Sequence, residues 1–434
     1  MNAILREDFE YIASAGLDWD RLDHRTVFIT GGTGFLGSLL VRFLHYLNET
    51  RRRGIRIVAL VRDPGKARAI LGDADVVLVQ GDMCALPPLP MEIDYIFHCA
   101  AVTNSKLMIE QPVEVTEGMV LGTYEIMKLA RLKKVSSMVY LSSMEVYGQI
   151  GAEDRETVES DQGYVDLYNA RSSYQMGKRM AEHICFNYWT EYGVPVKAAR
   201  LAQTFGAGVL DTERRVFAQF ARSVMAGEDI VLHTDGTSMG NYCYSADAVL
   251  GLFYLLLKGE DGQAYNIVNE QASMTIRDMA MLVAERVSGG AISVTFDIPE
   301  SNVYGYAPKS RMRLSAGKLR SLGWKPKYNL EQMYSRMIAY LTDAGAAERE
   351  APVEQTAVLY HRRLADAAGL RLWSGQERCE RTGRTPVTAG GAPRFHCREQ
   401  RCDAPGHGDE PRHPEELACP LQQTSHPVLK SGLV

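Results

Sequence analysis

No stretch of this sequence is apolar for long enough to cross a bilayer. The longest run, AVLGLFYLLL at 248–257, is about half of the ~20 residues a spanning helix needs, and it reads as a buried helix. A basic excess is also missing. With 48 Lys and Arg against 53 Asp and Glu the formal net charge is −5, so nothing offsets a phosphate backbone and nucleic-acid binding is excluded as a main role. The short RRRG at 51–54 reads as a solvated helix end. The N-terminus carries Arg6, Glu7 and Asp8 where a secretory signal needs its apolar core, so a cytoplasmic location is expected. Cysteine is sparse, and Cys84, Cys99, Cys185 and Cys243 stand singly in apolar or mixed segments, the habit of buried reduced thiols rather than of a disulfide scaffold.

What is present is an ordinary globular composition, 46% hydrophobic and 23% charged over 434 residues, enough for more than one domain. From about residue 26 apolar strand patterns (TVFIT, IRIVALV, VVLVQ, DYIFHCA, SMVYLSS, VPVKAARLA) alternate with helical ones (SLLVRFLHYLNE, GTYEIMKLARLK, YQMGKRMAEHICFNYWTEY). Such alternation predicts an α/β fold, a doubly wound parallel sheet covered on both faces. The expected divisions are an N-terminal helical extension over 1–23, a cofactor-binding domain over 24–204, a smaller α/β substrate lobe over 205–345 with returns to the first domain, and a tail over 346–434. The tail is rich in Arg, Pro, Gly, His and Cys and has no periodicity, which predicts disorder. Its HCREQRCDAPGH segment fits no common zinc spacing, and no metal is expected.

TGGTGFLG at 30–37 follows a strand pattern and opens a helix, the setting a dinucleotide fingerprint requires. In that reading Gly31 permits the tight turn, Gly34 lets the backbone approach a pyrophosphate and Gly37 lets helix and strand pack closely, with Thr33, Phe35 and Leu36 completing the contact. The phosphates then rest on a helix N-terminus, where free N–H groups and the dipole favour anions. The first domain is therefore expected to be of Rossmann type. The next strand ends ALVRD, and its two last residues point different ways: Asp63 suits the ribose hydroxyls of NAD, Arg62 the extra phosphate of NADP.

LSSMEVYG at 141–148 ends another strand, which sets Ser142, Ser143 and Glu145 at the carboxyl edge of the sheet, where doubly wound folds bind ligands. RSSYQMGKR at 171–179 places Tyr174 and Lys178 four residues apart, on one helix face. Alone such a pair is an ordinary surface decoration. Beside Ser143 it completes an alcohol-oxidation set: a hydroxyl to hold a substrate oxygen, a phenol to take its proton, and an ammonium to lower the phenol's pKa.

These residues resemble the extended short-chain dehydrogenase/reductases, the epimerase/dehydratase group acting on nucleotide sugars, over roughly residues 24–340. TGGTGFLG is similar to that family's TGxxGxxG. GDM at 81–83 resembles the segment whose acid, here Asp82 followed by Met83, contacts adenine. HCAA at 98–101, with Cys99, Ala100 and Ala101, resembles the loop under the cofactor. SSMEVYG and YQMGK match the active-site serine or threonine and the YxxxK, so the resemblance gives Ser143, Tyr174 and Lys178 those roles. RLAQTFGAG at 200–208 is similar to R-x-x-N-x-x-G, with Gln203 where an asparagine contacts the diphosphate, and LGWKPKYNLEQ at 322–332 resembles the closing LGWxPxxxLxE. Met119 replaces an asparagine of N-V-x-G-T. Asp247 matches the acid of a Y-x-x-D segment and is expected to cap a helix.

The resemblance implies a nucleotide-sugar substrate, bound NAD with NADP not excluded, a 4-keto sugar intermediate, and a homodimer through two helices of the cofactor domain. In the family's 4,6-dehydratases Asp and Glu follow the active-site Thr; here Met144 and Glu145 follow Ser143, which disfavours dehydration. UDP-glucuronate decarboxylases share a Glu before V-Y-G, as Glu145 stands here, and an R-x-C-Y-x-x-G-K-R similar to RSSYQMGKR, which gives Arg171 a substrate carboxylate or pyrophosphate to bind. Epimerisation stays open beside decarboxylation. An NADPH-dependent carbonyl reductase and a non-catalytic cofactor sensor are the alternatives.

Overall fold

The computed structural model describes residues 1–151, 155–210, 212–299 and 309–350, with side chains through 343, all within one compact unit, Met1–Tyr360. The expected disordered tail, with its cysteines and histidines, lies outside the described residues apart from its first five positions, which continue a helix.

The chain begins with α1 (Ala3–Ala13), capped by the Asn2 side chain, which accepts the Ile4 and Leu5 N–H groups. There follow β1 (Thr26–Thr30), α2 (Phe35–Arg51), β2 (Arg56–Val61), α3 (Pro64–Leu71), β3 (Val77–Gln80), β4 (Tyr95–His98), α4 (Ser105–Glu110), α5 (Pro112–Lys133), β5 (Ser137–Ser143), α6 (Ser172–Tyr192) and β6 (Val196–Leu201). The rest comprises β7 (Gln203–Phe205), α7 (Val216–Ala226), β8 (Ile230–Leu232), β9 (Met239–Tyr244), α8 (Ser245–Lys258), β10 (Ala264–Ile267), β11 (Asn269–Thr275), α9 (Ile276–Leu282), β12 (Val294–Phe296), α10 (Gly317–Ser321) and α11 (Leu330–Glu350).

Seven strands form one parallel sheet in the order β10-β6-β5-β4-β1-β2-β3. Apolar layers cover both of its faces, one built around Leu44, Phe97 and Phe253, the other around Phe28, Ile126 and Met138, which is why TVFIT is buried along its whole length. Strand order reverses between β1 and β4, and the carboxyl ends there open the crevice where ligands of such sheets sit. The second half of the chain returns to this sheet through β10. It also returns through α8, buried at every residue from Ser245 to Leu257, which explains a helix apolar all round. Two small sheets, β11-β9-β7 and β12-β8, build the rest of the second half.

Two expectations change. Asp247 does not cap α8: its carboxylate accepts the N–H groups of Lys327 and Tyr328 and the Tyr11 hydroxyl at 3.0, 3.2 and 2.9 Å. It thus ties the start of α8 to the segment before α11 and to α1, and burial pushes its carboxyl up to about 6. The RRRG segment is not simply solvated either, since Arg53 is largely buried and pairs with Asp20 and Asp23 at 2.6 and 2.8 Å. Helix α1 is docked rather than loose. Its buried Asp8 accepts from Arg336 of α11 and from Tyr244 at 2.7 Å each, and its apolar face, Leu5, Phe9 and Ile12, joins the main core.

Candidate active site

The turn between β1 and α2 is set by its glycines. Gly31 has φ +67°, and a Cβ there would stand 2.8 Å from the Ala100 backbone; a Cβ on Gly37 would stand 2.2 Å from the Gly31 carbonyl. Both clashes are with backbone, so no larger residue fits. Gly34 is exposed and begins α2 without any side-chain cap, unlike α1 and α3, which Asn2 and Asp63 cap. The first N–H groups of a 17-residue helix are therefore free for an anion. Thr33, Phe35 and Leu36 line this turn half-buried.

The neighbouring strand ends carry the other residues expected to meet a cofactor. Asp63 accepts the Lys66 N–H at 3.0 Å as the cap of α3, while the Arg62 side chain is exposed and takes no partner among the described residues. Asp82 closes a short turn by accepting the Cys84 N–H at 2.8 Å. Met83 lies against α5, in space that a Cβ on Gly122 would fill. Cys99, Ala100 and Ala101 leave β4 half-buried. Beneath them Thr30 accepts the Ala100 N–H at 3.1 Å and meets His98 at 2.7 Å, and His98 reaches Thr123 at 3.2 Å. Burial pushes His98 down to about 3, so a neutral imidazole bridges two hydroxyls and fixes the β4 exit under the glycine turn.

At the end of β5 the fold brings Ser143, Glu145, Tyr174 and Lys178 together. Ser143 accepts the Glu145 N–H at 3.2 Å and lies near enough to the Tyr174 phenol to oppose the rise of its pKa. Glu145 is half-buried, with one oxygen, Oε2, facing Gln175 at 3.0 Å and Arg171 at 3.5 Å. Lys178 is buried, donates to the Leu141 carbonyl at 2.6 Å, and lies 4.8 Å from the Tyr140 ring and 5.8 Å from the Tyr174 ring. Burial pushes the Tyr174 phenol up to about 12, against the influence of the Ser143 hydroxyl; the charge on Glu145 adds to the rise, and those on Arg215 and Arg171 oppose it. Burial pulls Lys178 down to about 8. The depressed phenol pKa expected from the YxxxK spacing is therefore not found in the protein alone. The ammonium is engaged by Leu141, and apolar neighbours surround the phenol.

One of those neighbours is Met119. In place of an amide it offers a thioether that packs with Met108, Val115 and Tyr174 and fills the space beside Gly177. Gln203 begins β7 opposite Tyr242, half-buried, and no hydrogen bond among the described residues ties it to the Ser143 cluster. Gln175 is a member of the cluster that sequence reasoning did not single out, and Arg215 is a further charge that opposes the rise of the Tyr174 pKa. Gln175 carries a signal in its spacing, i+4 from Arg171; Arg215 comes from the segment just before α7 and carries none.

A Rossmann-type sheet with a bare helix N-terminus at its crevice and a Ser–Tyr–Lys cluster on the adjoining strand end and helix defines the class of dinucleotide-dependent enzymes acting on alcohols and ketones. The chain belongs to the NAD dependent epimerase/dehydratase family, which it matches over residues 27–269. It is 29% identical over 308 residues to UDP-glucuronic acid decarboxylase 5 of Arabidopsis thaliana, covering 70% of this chain and 86% of that protein. To UDP-glucuronic acid decarboxylase 1 of Xenopus tropicalis it is 28% identical over 324 residues, covering 73% and 72%. Among solved structures, UDP-glucose 4-epimerase with UDP-glucose from Thermotoga maritima matches with a TM-score of 0.61 at 19% identity, over 74% of this chain and 99% of that one, a likeness of fold. Among the described residues no helix is long and apolar enough to cross a membrane, and no cluster of metal-ligating side chains occurs.

Proposed function

We propose that the protein binds NAD and a UDP-sugar and works through a 4-keto sugar, with decarboxylation of UDP-glucuronate as its reaction. The observation that carries this reading is Glu145, held beside Ser143 and Tyr174 with one oxygen on α6, in a chain 29% identical to a UDP-glucuronic acid decarboxylase. The glycine turn, the bare start of α2 and the loop of Cys99, Ala100 and Ala101 fit the dinucleotide; Asp82 and Met83 would meet the adenine and Asp63 the ribose hydroxyls, Arg62 being the residue suited to the extra phosphate of NADP. When bound, NAD supplies the hydride acceptor at the sugar C4 and later returns that hydride.

The chain's own groups do the rest. Ser143 holds the C4 oxygen, Tyr174 takes its proton, and Lys178 supplies the positive charge that favours a phenolate once a ligand draws it toward the phenol. The β-keto acid so formed loses carbon dioxide with little further help, Arg171 and Gln203 binding the anionic substrate. Residues 24–204 then act as cofactor domain and 205–345 as substrate lobe. Mass spectrometry of UDP-glucuronate after incubation with protein and NAD tests the reading. Loss of carbon dioxide is expected; if the mass is unchanged, chromatography of the same sample separates an isomer, which would mean epimerisation, from untouched substrate, which would mean the wrong sugar or nucleotide.

The same reading makes the enzyme a cytoplasmic homodimer. Side by side, α5 and α6 expose Leu121, Tyr124, Met180 and Phe186, apolar groups on adjacent helices that pairing would cover. Sedimentation of the full chain is expected to give twice the 48.3 kDa of one chain, and a monomer at micromolar concentration would refute it.

A further inference from the structure

Resting on the functional reading above, we infer that Gln175 is a positioning residue that fixes which oxygen of Glu145 faces the substrate. Arg171 begins α6 in helical geometry, and Gln175 follows it by four, so both point along one helix face. Both converge on the same carboxylate oxygen, Oε2 of Glu145. The Gln175 amide meets it at 3.0 Å, a well-formed bond, and the Arg171 guanidinium at 3.5 Å, the outer limit of one. The other oxygen, Oε1, has no hydrogen bond among the described residues. At its backbone end Glu145 is held by Ser143, whose hydroxyl influences the Tyr174 phenol.

This geometry divides the labour between the two donors. A carboxylate accepts only, so the Gln175 amide presents its NH2 and holds Oε2 without carrying charge. Arg171, half-exposed and loosely bonded, can leave for an anionic substrate without releasing Glu145. Gln175 follows Tyr174 directly, so the helix that sets the phenol also sets the carboxylate, and Oε1 is left without a hydrogen bond among the described residues.

The first test needs no substrate. In the full chain with 15N-labelled glutamine side chains, the Gln175 signal is assigned by its loss in Gln175→Met. One Gln175 amide proton is expected downfield of free glutamine and is expected to return to the free position in Glu145→Gln. A signal at the free position, indifferent to Glu145→Gln, overturns the inference, whatever the wild-type protein does to UDP-glucuronate. The second test is turnover of UDP-glucuronate with NAD. Gln175→Met is expected to lower kcat about tenfold with KM within about twofold, because an unpinned group loses its attack geometry. The same change should do nothing further in a Glu145→Gln background. Gln175→Lys, which restores a donor of similar reach, is expected to recover most of kcat. An equal loss in both backgrounds would mean that Gln175 only supports the fold, and overturns the positioning role. Wild-type protein that leaves UDP-glucuronate untouched counts against the functional reading alone, since the amide signal still decides about Gln175.

Discussion

At the scale of single residues the site depends on two groups whose environments work against them. Tyr174→Phe removes one oxygen and keeps the ring that packs with Met108, Val115 and Met119, so it is expected to shift Tm by less than about 4 °C. Turnover should fall by at least about a hundredfold, since the proton-carrying oxygen is gone; full activity in the variant would refute the assignment. Lys178 makes the complementary case. Its ammonium titrates near 8 in the fold against 10.5 for an ordinary lysine, so between those pH values the unfolded chain holds a proton that the folded chain does not. Stability gained from that difference is present above about 10.5 and lost as pH falls through about 8, leaving a cost of ~3 kcal/mol at neutral pH. Lys178→Met removes the cost and also the bond to Leu141. Its stability relative to wild type, from urea unfolding of cofactor-free protein, is therefore expected to be more favourable at pH 7 than above pH 10 by up to ~3 kcal/mol, while turnover is lost. A difference that does not change with pH would mean that Lys178 is not desolvated.

At the scale of elements, the contacts that were hard to read from sequence are the ones that cross the chain. The strand and helix rhythm of the first half shows directly in its apolar periodicity, and α8 in its unbroken apolar run, because each is decided by residues within a turn or two. The glycine turn was legible for the same reason. Helix α1 was visible as a helix, but its docking was not: Asp8 meets Arg336 and Tyr11 meets Asp247 across more than 230 residues of chain, and no local pattern announces such a partner. The same holds for the Asp247 carboxylate, which looks like a helix cap by position and instead serves two N–H groups from Lys327 and Tyr328. This crossing network makes a prediction at its own scale. Arg336→Met leaves the Asp8 carboxylate buried without its cationic partner and with the Tyr244 hydroxyl still donating to it, which is expected to cost about 3–5 kcal/mol in urea unfolding. Adding Asp8→Asn should return a large part of that loss, because the stranded charge rather than the missing arginine is the source of the cost. A double variant no more stable than Arg336→Met would place the cost in lost packing of the arginine stem instead.

Across the whole molecule, the site is assembled from the first half of the chain and closed by the second. The glycine turn, the β4 exit, Ser143 with Glu145, and Tyr174 with Lys178 all come from strand ends and helix starts between residues 30 and 178. Arg215, between β7 and α7, adds a positive charge that opposes the rise of the Tyr174 pKa. The buried core runs through Met337 on α11, and α1, the first helix, is pinned there by Arg336. Among the described residues, fold and site thus draw on elements from the first helix to α11. Proteolysis of the full chain that removes the residues after 350 is therefore expected to leave Tm within about 2 °C and kcat unchanged. A drop in kcat with Tm preserved would show that residues after 350 reach the substrate. A drop in both would show that they complete the core.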